Sequence, residues 1–166
     1  MIKSDSLVTI VMNCFNGEKY LHDSVKSIIN QKYKNWELIF WDNKSTDNSA
    51  KIFKSFKDKR LRYYRAKKKT VLYKARNLAI KKARGEFIAF LDVDDFWTRD
   101  KLFKQIPKFK NKNVGLVYSN FYKYYQKNKK KKIAYKNNLP SGNVTKKIIE
   151  KYQVGILTVV LRRKFI

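Results

Sequence analysis

Acidic residues are scarce in this sequence. Thirteen Asp and Glu stand against 40 Lys and Arg, a formal charge of +27 over 166 residues. The single cysteine, Cys14, excludes an internal disulfide framework and any multi-cysteine zinc site, and it suits a reducing compartment. The single histidine, His22, leaves no spare parts for a histidine-dependent triad and reads as structural. Five glycines and two prolines exclude collagen-like and linker-like classes. No apolar run approaches the ~18 to 20 residues that cross a bilayer. The opening residues, MIKSDS, lack the apolar core of a secretory signal. Cytoplasmic residence is expected.

What is present supports a packed core. Hydrophobic residues make up 43% and aromatics 15%, enough for one domain over residues 1–166. Of the 40 basic residues 32 are Lys, and Asn, Ile, Tyr and Phe are also abundant. All have AT-rich codons, so genome composition is one explanation of the charge. Attraction to RNA, to anionic lipid or to phosphate-bearing substrates is the other. Composition explains the acids less well: Asp92, Asp94, Asp95 and Asp100 fall within nine residues.

Apolar runs and helical spacings alternate along the chain. Strands are expected at 7–12 (LVTIVM), 36–41 (WELIFW), 61–65 (LRYYR), 86–91 (EFIAFL), 114–120 (VGLVYSN) and 156–161 (ILTVVL). Helices are expected at 18–31, through Leu21, Val25, Ile28 and Ile29; after a Thr46 N-cap, through Ile52, Phe53 and Phe56; at 72–84, stopped by Gly85; after a Thr98 cap, ended early by Pro107; and at 144–152. Residues 121–136 read as a hairpin around the lysine run 127–132. That run is either a solvated turn or one that contacts a membrane or phosphate. The pattern implies an α/β domain with a mostly parallel central sheet flanked by helices.

In such sheets ligands bind beyond the carboxyl ends of the strands. Three polar segments hold that position: 13–17 (NCFNG), 42–46 (DNKST) and 92–95 (DVDD). They are expected to meet in one crevice. Neither G-x-G-x-x-G nor a P-loop is present. Three carboxylates within residues 92–95 repel one another, which Mg2+ or Mn2+ relieves by binding carboxylates and substrate phosphates together; the plainer reading is a cap for the next helix. Asp42 can accept a hydrogen bond from a base or ribose, or close a turn on Lys44. Arg76 can meet phosphate or base oxygens, or lie on a helix surface. Phe15 can stack on a base, or pack locally. Cys14 reads as a packing residue.

Residues 7–49 resemble the opening of family 2 glycosyltransferases of the GT-A fold. The family pattern is an apolar strand, a P-T-Y-N-G-like loop, a helix ending near S-I-x-x-Q, and a strand leading to D-D-G-S-T-D. Here the loop is NCFNG, the helix end is SIINQ, and the second loop begins Asp42-Asn43. The stretch ARNLAIKKARGEFIAFLDVDD is similar to the family's A-R-N…F-L-D-x-D-D segment. Together the motifs cover roughly residues 7–105. The resemblance implies transfer of a sugar from a nucleotide-diphosphate donor, UDP-linked by preference, to a hydroxyl of a glycan or lipid-linked acceptor in envelope polysaccharide synthesis. It implies that Cys14 and Phe15 flank the base, Asp42 recognises it, and Arg76 contacts the nucleotide. Asp92 and Asp94 become the D-x-D pair, with the ligand to Mn2+ or Mg2+ being Asp94 or Asp95. Asn13 stands where the family has proline, and Asn43 where it has a second aspartate.

Family members run longer, and their acceptor-deprotonating carboxylate lies in an E-D-like motif. After Asp100 the only acid here is Glu150, so no catalytic base is assigned. The sequence reads as truncated before that region, and donor binding is expected to exceed turnover. Two alternatives stand beside this: a sugar nucleotidyltransferase, and a non-catalytic basic module on RNA or an anionic membrane. No RNA-binding signature is present, so specific nucleic-acid binding is not expected. Peripheral contact with the inner face of an anionic membrane fits the charge.

Overall fold

The computed structural model describes residues 6–150 and 153–166. Four strands run parallel in the order β3-β2-β1-β4: β1 (Val8–Cys14), β2 (Trp36–Asp42), β3 (Leu61–Arg65) and β4 (Phe87–Phe90). Two more extend the sheet beyond β4. β8 (Val160–Arg162) lies between β4 and β5 (Leu116–Val117) and runs antiparallel to both. This is the mostly parallel, helix-flanked α/β sheet expected from the sequence. A separate hairpin pairs β6 (Tyr122–Tyr125) with β7 (Lys130–Ile133).

Every residue of β1 and β2 is buried, which is why these strands read as continuous apolar runs instead of alternating ones. Successive side chains point to opposite faces. Val8, Ile10 and Met12 meet Leu21, Val25 and Ile28 of α1 (Glu18–Ile29) on one face. Val11 and Ile39 meet Ala75 and Ala79 of α3 (Leu72–Ile80) on the other. Phe53 of α2 (Ser49–Ser55) and Leu102 of α4 (Lys101–Gln105) join the α1 side. Charge is also built into this core. Glu37 of β2 is 2% exposed, and its carboxylate accepts bonds from the Thr9 hydroxyl (2.8 Å), the Arg84 backbone N–H and Nε (both 2.9 Å), and Arg62 Nη1 (3.0 Å).

Several expected boundaries move. Neither Thr46 nor Thr98 caps a helix: α2 starts after Asn48 and α4 after Asp100. Thr46 is drawn instead to Asn16, whose side-chain oxygen accepts its N–H at 2.9 Å. The third helix ends at Ile80, with Leu72 exposed, and Gly85 caps nothing. Pro107 does end α4, by entering a 3-10 turn over Ile106–Lys110. The strand expected at 114–120 shrinks to β5. That expected at 156–161 begins with a 3-10 turn, Ile156–Thr158, and pairs only from Val160. The last helix is α5 (Thr145–Glu150); residues 151–152 of the expected span lie outside the described residues.

Gly85 has a different duty. A Cβ there would lie 2.6 Å from the Thr9 backbone nitrogen and 2.7 Å from the Leu7 carbonyl oxygen. Both obstacles are backbone, so relief requires moving β1. Gly85→Ala should lower stability by about 3 kcal/mol, at the upper end for overpacking. For a chain of this size that is a fall in Tm of roughly 6 to 12 °C. Thermal unfolding followed by circular dichroism would check it; an unchanged Tm would contradict the close approach.

Candidate functional site

The carboxyl ends of β1, β2 and β4 lie at one edge of the sheet, and the three polar segments meet there. The first two are laced together. Asn43 N–H donates to the Cys14 carbonyl at 2.8 Å, Asn16 N–H to Ser45 Oγ at 3.1 Å, and Gly17 N–H to Ser49 Oγ at 2.9 Å. Asn16 sits at φ 54° and Lys44 at φ 69°, left-handed turns that Asn tolerates better than most residues.

The aspartate segment is gripped by polar residues on α1 and just past its end. The Ser24 hydroxyl lies between the carbonyl oxygens of Val93, at 2.6 Å, and Asp95. Ser27 Oγ accepts the Trp97 N–H at 3.1 Å. Gln31 donates to the Thr98 carbonyl at 2.7 Å and accepts the Leu102 N–H at 3.2 Å. Gly17 faces Val93, where an added Cβ would come within 2.9 Å of Val93 Cγ2. These roles were invisible as chemistry in the sequence. Their signal was two serines and a glutamine, spaced three and four residues apart, beside an apolar stripe.

Within the segment the carboxylates separate. Asp92 accepts from Arg76 Nη2 at 3.1 Å, so Arg76 stands at the site's rim and not on a free helix surface. Asp94 and Asp95 open instead into a cleft of about 930 Å³ that Trp97, Lys101 and the β6–β7 hairpin also line. Burial pushes the Asp95 carboxyl up to about 6, and the charges of Asp94 and Asp92 add to the shift. Such unrelieved negative charge fits a divalent cation. Among the described residues no group of three His, Cys, Asp or Glu forms a ready cage. A hard cation held by one or two carboxylates takes its other ligands from water and phosphate oxygens.

Asp42 is wholly enclosed. One carboxylate oxygen accepts the Ser45 N–H at 2.6 Å and the other the Tyr63 hydroxyl at 2.6 Å. It closes its turn on Ser45, not on Lys44. Burial pushes the Tyr63 phenol up to about 12, reinforced by the hydrogen bond to Asp42 and its charge. Cys14 is also buried, and burial raises its thiol pKa. Phe15 is 43% exposed, with Lys69 Nζ 3.6 Å from its ring centroid. The Asn43 amide holds the Lys69 segment by pairing with Thr70, donating to its carbonyl at 2.7 Å and accepting its N–H at 3.1 Å. Beside this rim the Asn13 amide and the indole N–H of Trp41, its register partner on β2, are buried without a protein partner among the described residues. His22 lies exposed on α1, its ring stacked on Phe56.

Lys101 is the other residue that sequence reasoning missed. Burial pushes its ammonium down to about 7, its Nζ donates to Gln105 Oε1 at 2.6 Å, and it sits 4.3 Å from the Trp97 ring centroid. Nothing in the sequence separates it from the other lysines.

A sheet whose first four strands run parallel, with an aspartate-bearing loop at its carboxyl edge, defines an open α/β protein with its ligand crevice beyond those strand ends. The sequence profile of Glycosyl transferase family 2 matches residues 9–165, and the chain belongs to that family. It is 36% identical over 159 residues to UDP-Glc:alpha-D-GlcNAc-diphosphoundecaprenol beta-1,3-glucosyltransferase WfgD of Escherichia coli, covering 96% of this chain and 61% of WfgD. Among solved structures, S. aureus TarS 1-349 in complex with UDP-GlcNAc superposes with a TM-score of 0.73 at 20% identity, over 94% of this chain and 45% of that one. Mannosyltransferase PcManGT from Pyrobaculum calidifontis, in complex with GDP-Man and Mn2+, superposes with a TM-score of 0.63 at 24% identity, over 67% and 34%. These likenesses confirm the GT-A arrangement. The chain spans about half to three-fifths of the length of the first curated relatives it matches.

Proposed function

We propose that this chain binds a UDP-linked sugar and serves its transfer to a hydroxyl of a glycan or lipid-linked acceptor in envelope polysaccharide synthesis. The observation that carries the reading is the meeting of three loops at one sheet edge, with Asp94 and Asp95 facing a cleft and Asp92 paired to Arg76. WfgD, named for a UDP-glucose donor and a diphosphoundecaprenol acceptor, supports both substrate classes. Family membership displaces the nucleotidyltransferase and basic-module alternatives.

In the reaction the acceptor oxygen bonds to the anomeric carbon as the bond from that carbon to the diphosphate breaks. The hydroxyl proton leaves to a base, and the electron pair goes to the diphosphate. Cys14 and Phe15 border the base-binding rim. Asp42 shapes that rim through Ser45 and Tyr63, so a base N–H reaches its carboxylate only by displacing the phenol. Asn13 offers a free donor and acceptor nearby. Arg76 and Asp92 contact ribose and phosphate. Asp94 and Asp95 would hold Mn2+ or Mg2+, which neutralises charge on the departing diphosphate. The donor and a lipid-linked acceptor would meet at the cytoplasmic face of the membrane.

Thermal unfolding with UDP, GDP or CDP, each with and without Mn2+, tests this. UDP with Mn2+ at ~100 times its Kd should add about 2.7 kcal/mol, a rise of roughly 5 to 11 °C for a chain of this size. A response of equal size to tripolyphosphate, indifferent to metal, would overturn the reading.

A further inference from the structure

The β6–β7 hairpin stands apart from the main sheet, and all eight of its strand residues are exposed. A lone two-stranded ribbon is marginal in water, and further hydrogen bonds close this one across its base. The Asn120 amide donates to the Tyr135 carbonyl at 2.6 Å, and Ala134 N–H donates to the Phe121 carbonyl at 2.9 Å. Residues 122–133 contain six lysines, three tyrosines and no acid.

Register sorts these side chains onto two faces. Tyr122 opposes Ile133 and Tyr124 opposes Lys131. This is the cleft-side face, since the Tyr124 ring meets Phe96 edge-on with centroids 5.6 Å apart. Lys123 opposes Lys132 and Tyr125 opposes Lys130, so the outer face is three lysines and a tyrosine. Lys127 and Lys129 extend it around the turn.

We propose that this hairpin is the contact of the protein with an anionic phospholipid surface, its lysines meeting headgroup phosphates and its tyrosines settling at the headgroup level. Lysines near such a surface attract it, and Tyr is enriched where one end of a side chain is wet and the other apolar. RNA shares the attraction to lysine. Lipid is favoured because Tyr122 and Ile133 form an exposed cross-strand apolar pair on the hairpin's other face, which a lipid boundary accommodates and a phosphodiester backbone does not. The hairpin also overhangs the Asp94–Asp95 cleft, whose carboxylates repel a polyanion entering beneath it. The proposal rests on the function above only in that a lipid-linked acceptor brings the cleft to a membrane.

Co-sedimentation of the full chain with vesicles tests it: phosphatidylcholine alone, or with about one-third phosphatidylglycerol. Binding is expected only to the anionic vesicles, weakening with salt. Each lysine near the surface is worth roughly fivefold in affinity. The variant Lys127→Gln, Lys129→Gln, Lys130→Gln and Lys132→Gln, which leaves the cleft-side Lys131 in place, should therefore bind about a hundredfold or more weakly. A matched variant, Lys26→Gln, Lys51→Gln, Lys57→Gln and Lys108→Gln, removes the same charge from exposed positions elsewhere and should lose less than about fivefold. Equal loss in the two variants would assign binding to diffuse charge and overturn the proposal. Tighter hairpin-dependent binding to single-stranded RNA than to anionic vesicles would overturn it too. The response to UDP and Mn2+, measured on the same variants, reports the donor site separately: it should persist in both, and its absence from the unmodified chain would count against the proposed function, not the hairpin.

Discussion

Asp94→Asn should abolish the Mn2+-dependent stabilisation by UDP while leaving the Tm of the ligand-free chain nearly unchanged. Asp94 is exposed at the cleft mouth and holds no loop in place. Exposed substitutions of this kind stay within about 0.5 kcal/mol, roughly 1 to 2 °C here. The whole effect should therefore appear in the ligand-bound state: the rise of about 2.7 kcal/mol expected at ~100 times Kd should vanish. Asp95→Asn is the informative companion. Its carboxyl is raised to about 6 by burial first and by Asp94 and Asp92 second. A raised acid stabilises the fold while it keeps its proton, and that contribution is lost as pH rises from the ordinary value of 3.8 through 6. Asp95→Asn should therefore raise the Tm of the free chain at pH 8, do little at pH 4, and still weaken the response to metal. Full retention of the UDP–Mn2+ shift in Asp94→Asn would remove that residue from the site.

The second large effect is expected far from the cleft. Glu37→Ala deletes a carboxylate 2% exposed and leaves Arg62, Arg84 and the Thr9 hydroxyl without their acceptor. Breaking one partner of a buried pair costs about 3 to 5 kcal/mol. Arg84 is 63% exposed, so solvent screening puts the expected loss at the lower end, about 3 kcal/mol, or roughly 6 to 12 °C in Tm. The pH dependence carries a definite sign. Burial alone would raise this carboxyl, but the bonds from Thr9, Arg84 and Arg62 outweigh burial and hold it below its ordinary 4.5. A depressed acid stabilises above its unfolded pKa and loses that contribution as pH falls through the folded one. The gap in Tm between wild type and variant should thus be full at pH 7 and narrow below pH ~4. A constant gap down to pH 3 would show that Glu37 acts by packing alone.

Strands β1, β2 and β4 could be read from the sequence because burial on both faces leaves a mainly apolar run, and Leu21, Val25 and Ile28 announced α1 by spacing. Caps could not be read. Thr46 and Thr98 have the right chemistry, but loops across the fold claim their backbone: Asn16 takes the Thr46 N–H and Gln31 reaches the Thr98 carbonyl. Nor does the sequence carry the direction of β8, since ILTVVL reads identically in either sense. For the site, three polar segments behind three strands were enough to foresee their meeting at one sheet edge, but only the aspartate segment lines the cleft. They were not enough to show that Asp92 turns to Arg76 while Asp94 and Asp95 face the cleft, or that Asp42 spends both oxygens inside the protein. Such division of labour among like carboxylates depends on neighbours distant in sequence, Tyr63 and Ser24 among them.

The position of β8 bears on how the molecule is made. Its partner β4 is complete at Phe90, yet Phe87 pairs with Arg162, 75 residues later. During synthesis the apolar flank of a finished strand must wait for that distant segment to leave the ribosome. Distant pairings form slowly, and an unpaired strand edge recruits other chains. The nascent protein therefore passes through an interval in which a chaperone shielding β4 would raise its yield most.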